Sequence, residues 1–312
     1  DRLAEEGKAP DLLLATDPDC DRLGIAVRHK DGAGKDNFQL ITGNETGILL
    51  LDYICAARKE AGASGGRDGS SRRSKPMPAD PLAIKTIVSS KMTDKVAKNY
   101  GVTVIDVLTG FKFIGEQIGI LEAKGEDGRY IFGFEESYGY LSGTYVRDKD
   151  AVDASMLICE MAAYYKKDGK TLVDRLNELY ETYGYYKNDL LEFAFEGAAG
   201  MERMNGIMSV LRANHPERII DRKVVEIADY QLSQRRILGS SKTCDLAAGM
   251  KPIKLPKSDV LEYVLEDWSS ITVRPSGTEP KLKIYLSAKG ASREESEEII
   301  GQMKAELKEI IQ

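Results

Sequence analysis

The chain has 312 residues, of which 42% are hydrophobic, and its 44 Lys and Arg against 50 Asp and Glu give a net charge of −6. This balance argues against a general coat for nucleic acid or an anionic membrane, so any anionic ligand must be held locally. No stretch approaches the roughly 20 apolar residues of a membrane span, and the charged first residues do not resemble a signal peptide. We expect a cytoplasmic protein without a nucleic-acid, membrane or obligate protein partner.

Cysteine and histidine usage excludes several kinds of site. The four cysteines include no C-x-x-C pair, which indicates neither a disulfide framework nor a thiolate zinc site. The two histidines, His29 and His215, do not lie beside a Ser or Cys nucleophile in the sequence, which weakens any Ser-His-Asp or Cys-His mechanism. The length is typical of two or three domains.

The first predicted elements are two short apolar strands, at 12–15 and 24–28, around a charged loop. A helix with an apolar face follows at 45–60. Between 62 and 81 the composition changes to Gly, Ser, Arg and Pro, which predicts a mobile surface loop. Its basic residues could form a phosphate-binding patch, but a solvated charged loop is the favoured interpretation.

Strands and helices then alternate up to residue 183. The strands are predicted at 84–88, 102–107 and 129–134, and the helices at 93–100, 111–124, 150–167 and 171–183. Because such alternation is typical of parallel sheets covered on both faces, we expect an α/β/α domain.

Beyond residue 184 strands follow one another more closely. They are predicted at 190–195, 224–229, 260–265, 270–274 and 281–287, with helices near 199–212 and 293–311. The last helix is opened by Ser292-Arg293-Glu294-Glu295, which has the form of a capping box. The pattern predicts an α+β C-terminal domain with a mostly antiparallel sheet.

The strongest motif is Thr16-Asp17-Pro18-Asp19-Cys20-Asp21-Arg22, between the first two strands. Pro18 forbids a helix interior, so the three carboxylates can converge only in an extended loop. Such carboxylates repel one another unless a cation neutralises them, and all-oxygen ligands select a hard ion such as Mg²⁺. A Ca²⁺ EF-hand is rejected because it requires Gly and Glu where this chain has Arg22 and Arg28. An acidic turn that caps a strand is the alternative.

A second motif, Gly133-Phe134-Glu135-Glu136-Ser137-Tyr138-Gly139, follows a predicted strand. Loops beyond strand C-termini are where ligands usually bind in open α/β sheets. Carboxylates and a hydroxyl suit hydrogen bonds to vicinal sugar hydroxyls. A polar turn without a ligand explains the motif about as well.

A third motif, Arg274-Pro275-Ser276-Gly277-Thr278-Glu279-Pro280, lies between two predicted strands. A guanidinium, two hydroxyls and the N–H groups of a Gly-containing loop favour binding of a phosphate over a plain hairpin. The segment Arg147-Asp148-Lys149-Asp150 could add positive charge near a phosphate, or its charges could pair with each other in a solvated turn.

Together, these motifs resemble the α-D-phosphohexomutase superfamily, and its phosphoglucomutase branch most closely, in the same order over essentially the whole chain. The resemblance assigns Mg²⁺ ligands to the first motif, sugar-binding residues to the second and a phosphate clamp to the third. It also marks residues 109–112 as a segment that contacts the sugar. The residues so implied are Asp17, Asp19 and Asp21 for the metal, Arg22 beside the metal and the phosphoserine, Thr109, Gly110, Glu135 and Ser137 for the sugar, and Arg147, Lys149, Arg274, Ser276, Gly277 and Thr278 for phosphate.

The resemblance also implies a domain assignment. Family members have four domains, and their phosphorylated serine lies in the first, in a Thr-x-Ser-His-Asn-Pro loop that these 312 residues do not contain. Residues 1–42 would be the end of domain 2, 43–183 domain 3 and 184–312 domain 4. We therefore expect a fragment that is inactive by itself.

The implied activity is a Mg²⁺-dependent interconversion of glucose 1-phosphate and glucose 6-phosphate. A phosphoserine would supply the phosphoryl group, and glucose 1,6-bisphosphate would be the intermediate and activator. A phosphomannomutase or another phosphosugar mutase is one alternative. A non-catalytic module that binds Mg²⁺ and a hexose phosphate is another.

Overall fold

The computed structural model describes residue 6 and residues 9–30, 32–63, 75–239, 249–277 and 279–311. The chain divides into two compact units, Asp1–Tyr183 and Gly184–Gln312. The predicted boundary after residue 42 lies inside unit 1 and stays a prediction, and most of the basic residues of the 62–81 loop lie outside the described residues. Within the described part, no helix has both the length and the apolar character needed to cross a bilayer.

Unit 1 begins with a three-stranded antiparallel sheet in the order β1-β2-β3. Its strands are β1 (Leu12–Thr16), β2 (Leu23–Lys30) and β3 (Asp36–Ile41). The first two match the sequence prediction, whereas β3 was not predicted. Residues of β2 are largely buried, and those of β1 largely exposed, so β2 anchors the charged loop that joins the two strands.

The second sheet of unit 1 is four-stranded, in the order β5-β4-β6-β7. Its strands are β4 (Leu82–Thr86), β5 (Thr103–Val107), β6 (Tyr130–Glu135) and β7 (Gly139–Leu141). Strand β4 pairs in parallel with β5 and β6, as predicted. The sheet is nevertheless mixed, because the short β7, which was not predicted, runs antiparallel to β6.

Five helices surround these strands in the described part of unit 1. They are α1 (Gly43–Ala63), α2 (Met92–Asn99), α3 (Phe111–Ala123), α4 (Ala151–Lys166) and α5 (Leu172–Tyr183). Helix α1 is capped by Thr42 and Glu45, whose side chains bond each other's backbone N–H groups. Residues on every side of α1 are buried, because α1 contacts α2, α4, α5 and β6.

The buried carboxylate of Asp52, on α1, is hydrogen-bonded to α5, to α4 and to the residue that ends α2. It accepts two hydrogen bonds of 2.9 Å from Arg175 on α5 and one each from the hydroxyls of Tyr100 and Tyr165. A buried charge needs such partners, so this cluster fixes the helices of unit 1 relative to one another.

Unit 2 contains an eight-stranded sheet, and its pairings are antiparallel throughout the described strands. The strands are β8 (Tyr185–Ala194), β9 (Arg218–Ile219), β10 (Arg222–Asp229), β11 (Gln234–Ile237), β12 (Gly249–Pro252), β13 (Leu261–Leu265), β14 (Ser270–Pro275) and β15 (Lys281–Gly290). Helices α6 (Gly197–Ala213) and α7 (Arg293–Ile311) supply apolar residues to the core of this unit. The predicted α+β class is confirmed.

The turn between β13 and β14 carries Trp268, the one tryptophan of the chain. Its backbone is in the left-handed region, with φ of 70°. Its N–H donates to the carbonyl of Leu265, which closes the turn, and its ring is partly exposed.

Candidate active site

The loop between β1 and β2, residues 17–22, is called the acidic loop. Asp17 organises it, because its Oδ1 accepts hydrogen bonds from the N–H groups of Asp21 and Arg22 at 3.2 and 3.0 Å. Its Oδ2 accepts a further bond of 2.7 Å from Nε of Arg22. Cys20 has a φ of 59°, so the chain turns back within the loop. The result is the non-helical loop that Pro18 predicted.

The acidic loop brings its three carboxylates together. Asp17, Asp19 and Asp21 each offer an oxygen that lies within 4.8 Å of the other two. Oδ1 of Asp21 is buried without a hydrogen-bond partner, since Nε of Arg22 lies 3.6 Å away. The bonds from the backbone and side chain of Arg22 hold the pKa of Asp17 well below its usual range. Converging anionic oxygens with one atom unsatisfied fit a hard divalent cation such as Mg²⁺.

The acidic loop and the first residue of β2 contact the segment 135–141, which overlaps the second motif. The N–H of Leu23 donates to the carbonyl of Tyr138 at 3.0 Å, and Arg22 forms an isolated antiparallel bridge with Gly139. The carbonyl of Cys20 accepts a bond from the first residue of α4. The first and second motifs therefore lie side by side in unit 1.

Glu135 ends β6 and is buried, although it is acidic. Burial raises its pKa, the neighbouring charge of Glu136 adds to that effect, and Lys149 and a hydrogen bond from Ser137 oppose it. Glu136 points elsewhere, since its Oε2 accepts a bond of 3.0 Å from the Thr86 hydroxyl at the end of β4. Glu135, which Ser137 hydrogen-bonds, is thus the carboxylate of this segment whose charge acts on Lys149.

Lys149 connects the two motifs. Its Nζ lies 2.8 Å from Oδ2 of Asp21 and 3.2 Å from Oδ1 of Asp148. Burial lowers the pKa of Lys149, but the bond to Asp21 and the charge of Glu135 more than offset it, so the net pKa is raised. The sequence predicted a phosphate-binding role for Lys149 but not this contact with the acidic loop.

Glycine at position 139 makes this contact possible. A Cβ at that position would lie 2.5 Å from Cδ of Lys149 and 3.0 Å from Cγ of Glu135. Gly43, at the start of α1, packs closely against the backbone of the segment 135–141. A Cβ at position 43 would lie 2.1 Å from the carbonyl oxygen of Glu136, so this close approach requires glycine. Gly139 belonged to a motif singled out in the sequence, whereas nothing in the sequence marked Gly43.

Thr109 and Gly110 precede α3, and Gly110 adopts a φ of 109° that favours glycine. The next residue, Phe111, is buried, and Nζ of Lys149 lies 6.0 Å from the centre of its ring. Arg147 is placed differently. Its guanidinium bonds Glu122 on α3 and the carbonyl of Thr144, so reaching a phosphate would require these bonds to break.

The third motif lies in unit 2, between β14 and β15. Residues 274–280, for which the sequence predicts phosphate binding, are called the phosphate loop. Arg274 donates from Nη2 to the Tyr285 hydroxyl at 3.0 Å, and its Nε is buried without a hydrogen-bond partner. The N–H of Ser276 donates to the carbonyl of Lys281, and the Cα of Gly277 faces open space. Thr278 lies outside the described residues.

Taken by themselves, the fold and these loops define a two-unit protein of mixed α and β structure, with three converging carboxylates in unit 1 and an unsatisfied buried guanidinium donor in unit 2. Comparison with known families is consistent with this. Residues 42–183 match the family described as phosphoglucomutase/phosphomannomutase, alpha/beta/alpha domain III, and residues 220–305 match the C-terminal domain of the same family. The chain belongs to the α-D-phosphohexomutase superfamily, of which it covers domains 3 and 4.

Individual relatives agree. The chain is 40% identical over 279 residues to a phosphoglucomutase of Staphylococcus aureus strain USA300, a match that covers 89% of this chain and 45% of the relative. The open form of Paramecium parafusin, a phosphoglucomutase, has the same fold with a TM-score of 0.60 at 18% identity, over 98% of this chain and 46% of that one. A phosphoglucomutase/phosphomannomutase family protein from Burkholderia thailandensis gives a TM-score of 0.55 at 14% identity, over 99% of this chain and 49% of that one. The chain therefore spans about half the length of these relatives.

Proposed function

We propose that this chain is the metal- and sugar-binding part of a phosphoglucomutase, which interconverts glucose 1-phosphate and glucose 6-phosphate. The observation that carries the proposal is the contact between Lys149 and Asp21, which joins the acidic loop to the segment containing Glu135 and Ser137. The 40% identity to a curated phosphoglucomutase supports glucose as the sugar.

For the sugar, Glu135 and Ser137 are the proposed hydrogen-bonding residues. A carboxylate and an adjacent hydroxyl can bond two neighbouring sugar hydroxyls. Lys149, with a pKa raised by its acidic neighbours, stays protonated and can bond the same sugar or its phosphate. Thr109 and Gly110 are proposed for the sugar because the family resemblance implies them, and they directly precede Phe111, whose ring centre lies 6.0 Å from Nζ of Lys149.

For the metal, Asp17, Asp19 and Asp21 are the proposed ligands of Mg²⁺. Bound there, Mg²⁺ would supply positive charge to the phosphoryl group undergoing transfer. Arg22, which Asp17 holds beside the loop, contributes a fixed guanidinium to the same region. These groups position and neutralise phosphate, and none of them is a nucleophile.

For the phosphate that the substrate already carries and that is not being transferred, the proposed clamp is Arg274, Ser276, Gly277 and Thr278. The unsatisfied Nε of Arg274 is a donor for which a phosphate oxygen would be a suitable acceptor. Arg147 is retained in the proposal as a second cation, on condition that it leaves Glu122.

In the proposed reaction, a phosphoserine supplied outside these 312 residues phosphorylates the hexose phosphate. The resulting glucose 1,6-bisphosphate then turns over and returns its other phosphate to the serine. A polar sugar site can accept both orientations, since hydroxyls occupy either side of the ring. By itself the chain binds hexose phosphate but does not transfer phosphate.

The test is calorimetric titration of the chain with glucose 1-phosphate and with mannose 1-phosphate in the presence of Mg²⁺. We expect glucose 1-phosphate to bind more tightly, and Glu135→Gln to weaken it about tenfold through loss of a charge-assisted bond. Glu181→Gln, an exposed change in the same unit, is the matched control. Tighter binding of mannose 1-phosphate would support the phosphomannomutase alternative, and no binding of either would overturn the proposal.

A coupled assay with glucose 1,6-bisphosphate and Mg²⁺ tests the expected inactivity. Glucose 6-phosphate formed by the purified chain would show that the nucleophile lies within it. Activity in a protein that combines this chain with the serine loop, and none in this chain alone, would exclude the non-catalytic module.

A further inference from the structure

A cavity of about 340 Å³ opens in unit 1 between α1, α4, β6 and the loop that follows β7. We call it the Arg58 pocket. Helix α1 contributes positions that share one face, and α4 contributes two residues one turn apart. The lining residues are Tyr53, Ile54, Ala57, Arg58, Lys75, Ile131, Ser142, Gly143, Thr144, Tyr145, Leu157 and Glu160. Its volume is at the lower end of the range of small-molecule sites.

The charge of the pocket is its main feature. Arg58 and Lys75 supply two cations against the single carboxylate of Glu160. Among the described residues, neither cation has an ion-pair partner. Burial lowers the pKa of Arg58. The guanidinium nevertheless stays protonated at neutral pH, and no carboxylate of the described residues forms an ion pair with it. A partly buried guanidinium without a carboxylate partner favours binding of an anion.

Much of the remaining wall is apolar or aromatic. Ile54, Ile131 and Leu157 supply aliphatic surface, and the ring of Tyr145 adds aromatic surface. Ser142 is hydrogen-bonded within the protein, since its hydroxyl and its N–H donate to Asp153 at 2.6 and 3.0 Å. These bonds hold this part of the wall in place.

We propose that the Arg58 pocket binds a small organic anion in which a phosphate or carboxylate is joined to an apolar or aromatic ring. The anionic group bonds Arg58 and Lys75, the ring packs on the aliphatic wall, and Glu160 accepts a hydrogen bond from a hydroxyl or amino group of the ligand. A nucleoside monophosphate has all three features. The inference rests on the pocket alone and does not depend on the proposed mutase activity.

The test uses adenosine monophosphate as the probe, titrated into the ¹³C-methyl-labelled chain and followed by NMR. We expect shifts at the methyl groups of Ile54, Ile131 and Leu157. Adenosine lacks the phosphate and therefore the charge-assisted bonds, so its affinity should be lower by about tenfold or more. Inorganic phosphate should compete with adenosine monophosphate, because both use the same cations.

Three variants locate the site. Arg58→Gln should weaken binding about tenfold or more, whereas Lys59→Gln, the same change on the exposed face of α1, should leave it within about twofold. Lys75→Gln alters an exposed side chain and should weaken binding severalfold without any effect on folding. Failure of adenosine monophosphate to bind at millimolar concentration, or binding that survives both Arg58→Gln and Lys75→Gln, would overturn the proposal.

Discussion

The acidic loop of unit 1 and the phosphate loop of unit 2 both join two antiparallel strands, but their internal contacts differ. In the acidic loop, Asp17 accepts three hydrogen bonds, and backbone bonds tie the neighbouring residues to Tyr138 and Ala151. In the phosphate loop, Nε of Arg274 is buried without a hydrogen-bond partner, and a Cβ added at Gly277 would meet no atom within 4 Å outside its chain neighbours.

The difference in internal contacts agrees with what each proposed ligand would require of the protein. Carboxylates repel one another, so three of them can be gathered only where donors and cations already hold them in place. A phosphate-binding loop has no such repulsion to overcome, and its ligand can itself complete the hydrogen bonds. We expect changes in the acidic loop to affect structure and binding together, and changes in the phosphate loop to affect binding alone.

The largest expected effect is that of Asp17→Ala. It removes one carboxylate and also the acceptor of three bonds, so the affinity for Mn²⁺ should fall about hundredfold or more. Mn²⁺ binding can be measured by electron paramagnetic resonance of the free ion. Asp168→Ala, at an exposed site of unit 1, is the control. Equal Mn²⁺ affinities of Asp17→Ala and Asp168→Ala would show that the acidic loop does not bind the metal.

Next comes Arg274→Gln in the phosphate loop. Loss of a guanidinium that bonds phosphate costs about 1.5–3 kcal/mol, so the affinity for glucose 1-phosphate should fall roughly tenfold to hundredfold. The thermal midpoint should stay near that of the unaltered chain. Calorimetric titration against Lys257→Gln, which removes an exposed cation from the same unit, is the appropriate measurement. Unchanged affinity for glucose 1-phosphate would show that this loop does not contribute to substrate binding.

A pair of glycine variants sharpens the comparison of packing. Gly43→Ala places a methyl group against the backbone of Glu136, so unit 1 should lose about 1–3 kcal/mol of stability. Gly277→Ala meets open space, and its effect should stay within about 0.5 kcal/mol. Urea unfolding followed by far-ultraviolet circular dichroism measures both. Similar losses for the two variants would contradict the difference in packing between these two glycine positions.

The smallest effect concerns thiol labelling, in a chain that also carries Cys244→Ser. Cys20 and Cys159 are exposed, whereas burial and then the charge of Asp52 raise the pKa of Cys55 to about 12. Cys55 should therefore stay unlabelled at pH 8 until the chain unfolds. Mn²⁺ should slow labelling of Cys20 severalfold and leave Cys159 unchanged. A change at Cys159 alone would contradict metal binding in the acidic loop.

The sequence predicted the acidic loop, since three aspartates around a proline between two apolar strands leave few other arrangements. It did not predict β7, because three residues are too few to display a pattern. Nor could it predict that Lys149 bonds Asp21 while Arg147 bonds Glu122. Both cations lie in one exposed-looking segment, and only the packing of that segment against α3 and the acidic loop assigns their partners.

The position of Trp268 affects how unfolding of this protein is followed. Because the one tryptophan lies in unit 2, its fluorescence reports on that unit, and unfolding confined to Asp1–Tyr183 would leave the emission unchanged. Circular dichroism senses the helices of both units. Coincidence of the two curves would therefore measure whether the units unfold as one, and a gap between them would give the stability of unit 1 separately.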